Sequence, residues 1–97
     1  MRFEIVLAPE AVEDLRSLKA NVRSTVRNAL ETHLRHQPMK MIRSRIKRLR
    51  GLARPQYRIR VGDVRIFYDV SAETVEVLAI VPKSEAAQWL EQFGSPE

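Results

Sequence analysis

Two alternating runs that meet at Gly62-Asp63 constrain this chain more than any other feature. Gln56 to Val61 and Val64 to Val70 both alternate apolar with polar or basic residues, and the Gly-Asp pair between them is a two-residue hairpin signal. Closing a hairpin there sets Val61 opposite Val64, Arg60 opposite Arg65, Ile59 opposite Ile66, Arg58 opposite Phe67 and Tyr57 opposite Tyr68. The two-residue period sends Tyr57, Ile59, Val61, Val64, Ile66 and Tyr68 to one apolar face that must be buried. Arg58, Arg60, Arg65 and Phe67 share the other face.

The remaining segments supply what covers the apolar face. Arg2 to Leu7 alternates as a short half-buried strand. Pro9 suits the first turn of a helix whose stripe is Val12, Leu15 and Leu18, with Glu10, Glu13 and Asp14 near its positive end. Asn21 is the expected cap of a second helix carrying Val22, Val26, Leu30 and Leu34 at four-residue spacing, ended by Gln37-Pro38. Both helices read as a hairpin packed on a sheet. Met39 to Arg54, bounded by Gly51 and Pro55, reads as a loop or short helical turn ending in an edge strand around Ile46 to Leu49. Thr74 to Val81 is nearly continuously apolar from Val77, as an interior strand would be, and Pro82 stops it. Ser84 is placed to cap a last helix whose Ala86, Trp89, Leu90 and Phe93 pack back on the sheet. The expected fold is α+β in one domain, residues 1–97. It comprises an N-terminal strand, a two-helix hairpin, three further strands in a small, mainly antiparallel sheet, and a C-terminal helix.

Charge is distributed unevenly over that plan. Between Lys40 and Arg65 there are ten basic residues and one acid, Asp63, or +9 in a chain of net charge +5, so the rest sums to −4. A concentrated basic surface on a small globular protein points to a polyanion, either nucleic acid or an acidic protein partner. The chain has no cysteine, which removes disulfide and thiolate chemistry. It also has no apolar leader and no run near the roughly 20 residues needed to span a bilayer, so a cytoplasmic location without a membrane partner is expected.

Directly opposed like charges on paired strands are destabilising, so Arg60 facing Arg65 with Arg58 beside them is a cost that bound phosphate would relieve. The guanidinium fork matches phosphate oxygens, and Phe67 offers a plate on which a base could stack. The plainer alternative is a solvated arginine face with Phe67 covered by the C-terminal helix. Lys47, Arg48 and Arg50, with Arg45 and Arg54 in the same basic segment, are candidates for gripping RNA backbone, or else form a solvated basic loop. His33 and His36 stand three apart, but with no cysteine and only Glu31 nearby they make a poor metal site, and none is expected. Tyr68 falls on the core face, where packing accounts for it.

Arg48-Leu49-Arg50-Gly51, then Tyr57-Arg58-Ile59-Arg60-Val61-Gly62-Asp63-Val64-Arg65-Ile66-Phe67-Tyr68, then Val77 to Val81 before Pro82-Lys83, resembles the RelE/ParE toxin superfamily, and its RelE-like branch in particular. The resemblance covers almost the whole chain. It implies a toxin of a type II toxin–antitoxin system that cuts mRNA in the ribosomal A site without metal or cofactor. It also implies that Arg58 and Arg60 hold RNA phosphates, that Arg65 stabilises the transition-state phosphate, and that Lys83 is the basic residue following the last strand. Lys83 is the only readily titratable member of that set and so the acid/base candidate. No Tyr or His follows the last strand, a departure from the branch's pattern.

The implied partners are the ribosome, mRNA and an acidic, partly disordered antitoxin in a hetero-oligomer with the toxin. The antitoxin would cross Arg58 and Arg60 and lie near Trp89 and Phe93. Two alternatives share the fold: a ParE-type inhibitor of DNA gyrase, and a catalytically silent binding module.

Overall fold

The computed structural model describes residues 1–97. In chain order it contains β1 (Glu4–Leu7), α1 (Pro9–Ser17), α2 (Ala20–Ala29), β2 (Ile46–Arg48), β3 (Leu52–Arg54), β4 (Tyr57–Val61), β5 (Val64–Ser71), β6 (Thr74–Pro82), α3 (Lys83–Phe93) and β7 (Ser95–Pro96). α2 runs on into one wide π-turn over Leu30–Leu34, which keeps Leu30 and Leu34 buried.

Five strands form one sheet in the order β1-β6-β5-β4-β2, with β1 parallel to β6 and every other pair antiparallel. The β4–β5 hairpin has the expected register at all five pairs, from Tyr57 opposite Tyr68 to Val61 opposite Val64. Gly62 makes the turn possible: it sits at φ +58°, where a first central hairpin residue needs glycine's freedom. The edge strand expected near Ile46 is β2, and it sets Lys47 directly beside Arg58.

α1 and α2 cover one face of the sheet. Leu15, Val26, Leu30 and Leu34 pack there against Ile59, Val61, Val64, Ile66, Tyr68, Val75 and Val77. Two polar contacts fix the hairpin in place. Arg23 of α2 donates to the carbonyls of Leu15 and Leu18 at the end of α1, at 3.3 and 3.0 Å, satisfying carbonyls that a helix end leaves bare. Asp14 accepts from the Ile80 backbone N–H at 2.9 Å, beyond the point where β1 has ended.

Both cap assignments differ from expectation. α2 starts at Ala20, one residue ahead of Asn21, and α3 starts at Lys83 behind Pro82, so Asn21 and Ser84 lie inside their helices. At the second site the Lys83 N–H is already taken by the Asp63 carbonyl at 2.7 Å, and the strand runs into the helix with no need for a side-chain cap. A further two-stranded ladder, β3 with β7, ties the C-terminus to the segment after Gly51.

Candidate nucleic-acid interface

The sheet face away from α1 and α2 is divided between apolar cover and exposed charge. Register places two rows across it: Lys47, Arg58, Phe67 and Ala79 in one, and Arg60, Arg65 and Val81 in the next. Arg45 adjoins the second row, since its carbonyl accepts from the Arg60 N–H at 2.8 Å. α3 covers the far end of both rows with Ala86, Trp89 and Leu90, over a small cluster of Phe67, Ala79 and Val81. The near end is left to cations.

Phe67 is therefore not the open plate suggested by its place among the arginines. It is 1% exposed, and Trp89 stacks on its ring with centroids 5.0 Å apart and planes 6° from parallel. Apolar area removed from water on both rings, plus the pairing itself, outweighs leaving Phe67 free for a base. Phe93, next along α3, stays 59% exposed beside Trp89.

Arg65 is the most buried charge, at 7% exposure. Its Nη1 donates to the carbonyls of Gly62 at 3.0 Å and Val64 at 3.2 Å, so it braces the hairpin turn as well as contributing charge. Arg58 is half-buried, and burial first, then the charges of Arg65 and Arg60, lowers its guanidinium below the ordinary arginine value. Its Nε is buried with no hydrogen-bond partner in the chain. An unsatisfied buried donor costs about 1–3 kcal/mol, more when charged, and an acceptor on this face would recover that cost. Lys83 is exposed at the same end of the sheet, where it flanks a concavity with Asp63, Pro82 and Ser84.

The other basic candidates separate into two groups. Arg45, Lys47 and Arg50 are exposed, and Lys47 and Arg50 line one shallow concavity. Arg54 is committed elsewhere: it bridges Asp69 at 3.4 Å and Glu76 at 3.0 Å, so it does not belong with the free cations. Asp69 is partly buried, which raises its carboxyl pKa, and it also accepts from the Gln56 N–H at 2.7 Å; Arg54 is its counter-charge. Arg48 faces the opposite way from Lys47. It lies 5.5 Å over the Tyr57 ring and donates to the carbonyls of Leu49 and Gln56, both at 2.9 Å. Tyr68 is a packing residue, stacked on Tyr57 and donating its hydroxyl to the Pro38 carbonyl at 2.6 Å. Arg43, two residues before Arg45 in the same loop, is a further exposed cation beside Arg45 and Arg60.

Residues 5–87 match the model of the ParE toxin of type II toxin–antitoxin systems. The chain belongs to this toxin family. Its fold is also that of solved RelE structures. A double arginine-to-alanine mutant of Escherichia coli toxin RelE in the free state superposes with a TM-score of 0.70 at 21% identity, covering 94% of this chain and 93% of that one. The RelBE2 toxin–antitoxin complex of Mycobacterium tuberculosis gives 0.69 at 22% identity, over 84% of this chain and 99% of that one. The RelB–RelE complex of Methanococcus jannaschii gives 0.68 at 21%, over 87% and 96%. No curated protein matches the sequence significantly. No helix is long and apolar enough to cross a membrane, and no group of three or more His, Cys, Asp or Glu side chains is placed to hold a metal.

Proposed function

We propose that this toxin is a ribosome-dependent endoribonuclease whose phosphate site is Arg58, Arg60 and Arg65. The observation that carries the reading is the buried, unpartnered Nε of Arg58, set among two more guanidinium groups with no carboxylate against any of them. An RNA phosphate supplies both the missing acceptor and the missing counter-charge.

In this mechanism the RNA 2′-oxygen attacks the adjacent phosphorus, the bond to the 5′-oxygen breaks, and the products are a 2′,3′-cyclic phosphate and a free 5′-OH. Charge gathers on the phosphorane oxygens, where fixed guanidinium groups stabilise it most. Arginine is a poor proton carrier, so the 2′-OH proton passes to solvent water or a ribosomal group, and the Lys83 ammonium gives its proton to the departing 5′-oxygen. A face so short of proton-transfer groups depends on the ribosome to orient its substrate.

The neutralising partner in this reading is an acidic antitoxin segment laid across Arg58 and Arg60, with apolar side chains seated by Trp89 and Phe93. Those two residues line a groove of about 480 Å³ with Ala8, Leu78 and Val81. Glu10, Asp14, Glu85 and Arg54 also line it, so it suits apolar partner side chains while the partner's acidic residues lie on the arginine rows. The M. tuberculosis and M. jannaschii neighbours are toxin–antitoxin complexes, which supports such a partner.

The match to the ParE family model favours a second reading, inhibition of DNA gyrase by protein contact alone. Induced expression with pulse labelling separates the two. The nuclease stops amino-acid incorporation first, while arrest of thymidine incorporation ahead of protein synthesis would replace this proposal with the gyrase reading.

A further inference from the structure

Beyond the sheet face, the loop between α2 and β2 closes a second basic concavity against the hairpin turn. It has a volume of about 240 Å³ and is lined by Ile42, Arg43, Ser44, Arg45, Arg60 and Gly62. Three of its six walls are guanidinium side chains and one is apolar. The chain's ion pairs belong to Arg16, Arg35, Arg48 and Arg54, so Arg43, Arg45 and Arg60 carry their charge without a carboxylate.

The loop is built to hold this shape. Ser44 adopts φ +66°, a left-handed conformation costing a non-glycine residue about 1–2 kcal/mol. It is held there because the Ile42 carbonyl accepts the N–H groups of both Arg45 and Ile46, each at 2.9 Å. The facing wall is also fixed, since the Gly62 carbonyl is taken by Arg65 Nη1 at 3.0 Å.

We propose that Arg43, Ser44, Arg45, Arg60 and Gly62 form a second phosphate subsite, which takes the backbone phosphate next to the one bound at Arg58 and Arg65 on the same RNA strand. Arg60 belongs to both sites. It stands two residues from Arg58 on β4, a step of about 6.7 Å along a strand, comparable to one phosphate-to-phosphate step in extended RNA. A single apolar wall gives no stacking surface, so the ligand is the backbone and not a base. The inference rests on the RNA reading of the neighbouring face.

The test is binding of a fluorescein-labelled single-stranded RNA oligonucleotide to the full chain over a salt series, read by anisotropy. Arg43→Ala/Arg45→Ala is expected to weaken binding and to flatten the log–log salt slope by about 0.7 for the one phosphate lost. Arg43→Lys/Arg45→Lys keeps most of the slope because it keeps the charge. Both residues are exposed, and a far-UV spectrum like that of the parent shows that the fold is kept. An unchanged slope in the alanine pair, with a reduced one in Arg58→Ala, overturns the subsite and leaves the nuclease reading standing. Unchanged slopes in both overturn the RNA reading of the whole face. If the alanine pair loses affinity only for an acidic peptide, the concavity serves protein carboxylates and the inference fails.

Discussion

Trp89 lies flat on Phe67, 5.0 Å between ring centroids, and this pair divides one sheet face into a covered half and a charged half. α3 has no fully buried residue, so Trp89 is its principal anchor. Trp89→Ala should cost about 2–3 kcal/mol, at or just below the range for buried aromatic truncations because the residue is partly exposed. Urea unfolding followed by circular dichroism measures this. A loss below about 0.5 kcal/mol would mean that α3 is held by something else.

Arg54 should behave as a structural residue. Arg54→Ala removes the counter-charge of Asp69 and the link to Glu76, so a loss of about 1 kcal/mol is expected, limited by the exposure of the arginine. RNA affinity and its salt slope should stay as in the parent. A flattened slope with unchanged stability would return Arg54 to the phosphate contacts.

Lys47 and Arg48 are neighbours with opposite roles. Lys47 sits beside Arg58 on the charged face, whereas Arg48 is spent on Tyr57 and two carbonyls. Lys47→Ala should weaken ribosome binding and reduce its salt dependence, while Arg48→Ala should mainly lower the unfolding midpoint. Salt-titrated co-sedimentation with ribosomes distinguishes them, and equal slopes for both variants would contradict the assignment.

His33 links the loop to stability. Burial first, then the Arg45 charge, holds its imidazole below the ordinary value of 6.5. The unfolded chain therefore binds this proton more tightly than the native one. Stability from this group is present above 6.5 and is lost as pH falls through the lowered native value. His33→Asn should flatten the fall in urea midpoint as pH drops below the ordinary imidazole value of 6.5. An NMR titration placing native His33 at or above its ordinary value would contradict this.

Local chemistry made much of the fold legible. The β4–β5 register follows from Gly62-Asp63 and an alternation broken only at Phe67, and the helix stripes at Leu15, Val26, Leu30 and Leu34 follow from spacing. What was not legible depends on contacts far apart in the chain. Arg54 reaching Glu76 and the C-terminal strand reaching Leu52 carry no mark in their own neighbourhoods, whereas the cover of Phe67 by the C-terminal helix was one of the two readings its pattern left open. The cap positions at Asn21 and Ser84 differ for a related reason: the backbone leaving β6 already satisfies a helix start through Asp63, and α2 begins behind Lys19, two residues before a cap at Asn21 would start it, without a side-chain cap. In the candidate site, the grouping of Arg58, Arg60 and Arg65 was readable from the hairpin alone. The burial of Arg65 against the Gly62 carbonyl was not, because it depends on the turn's three-dimensional closure.

That burial decides how the central claim is best tested. Arg65→Ala would remove both a charge and a brace of the turn, whereas Arg58 Nε has no partner in the chain to lose. The most direct measurement is primer extension on a defined mRNA programmed into purified 70S ribosomes, comparing the toxin with a folded Arg58→Ala variant. The account predicts new A-site cuts with the toxin, reduced at least about 100-fold in the variant, the scale set by loss of one transition-state charge contact. No cuts from a folded toxin that still arrests growth, or undiminished cuts from Arg58→Ala, would contradict it.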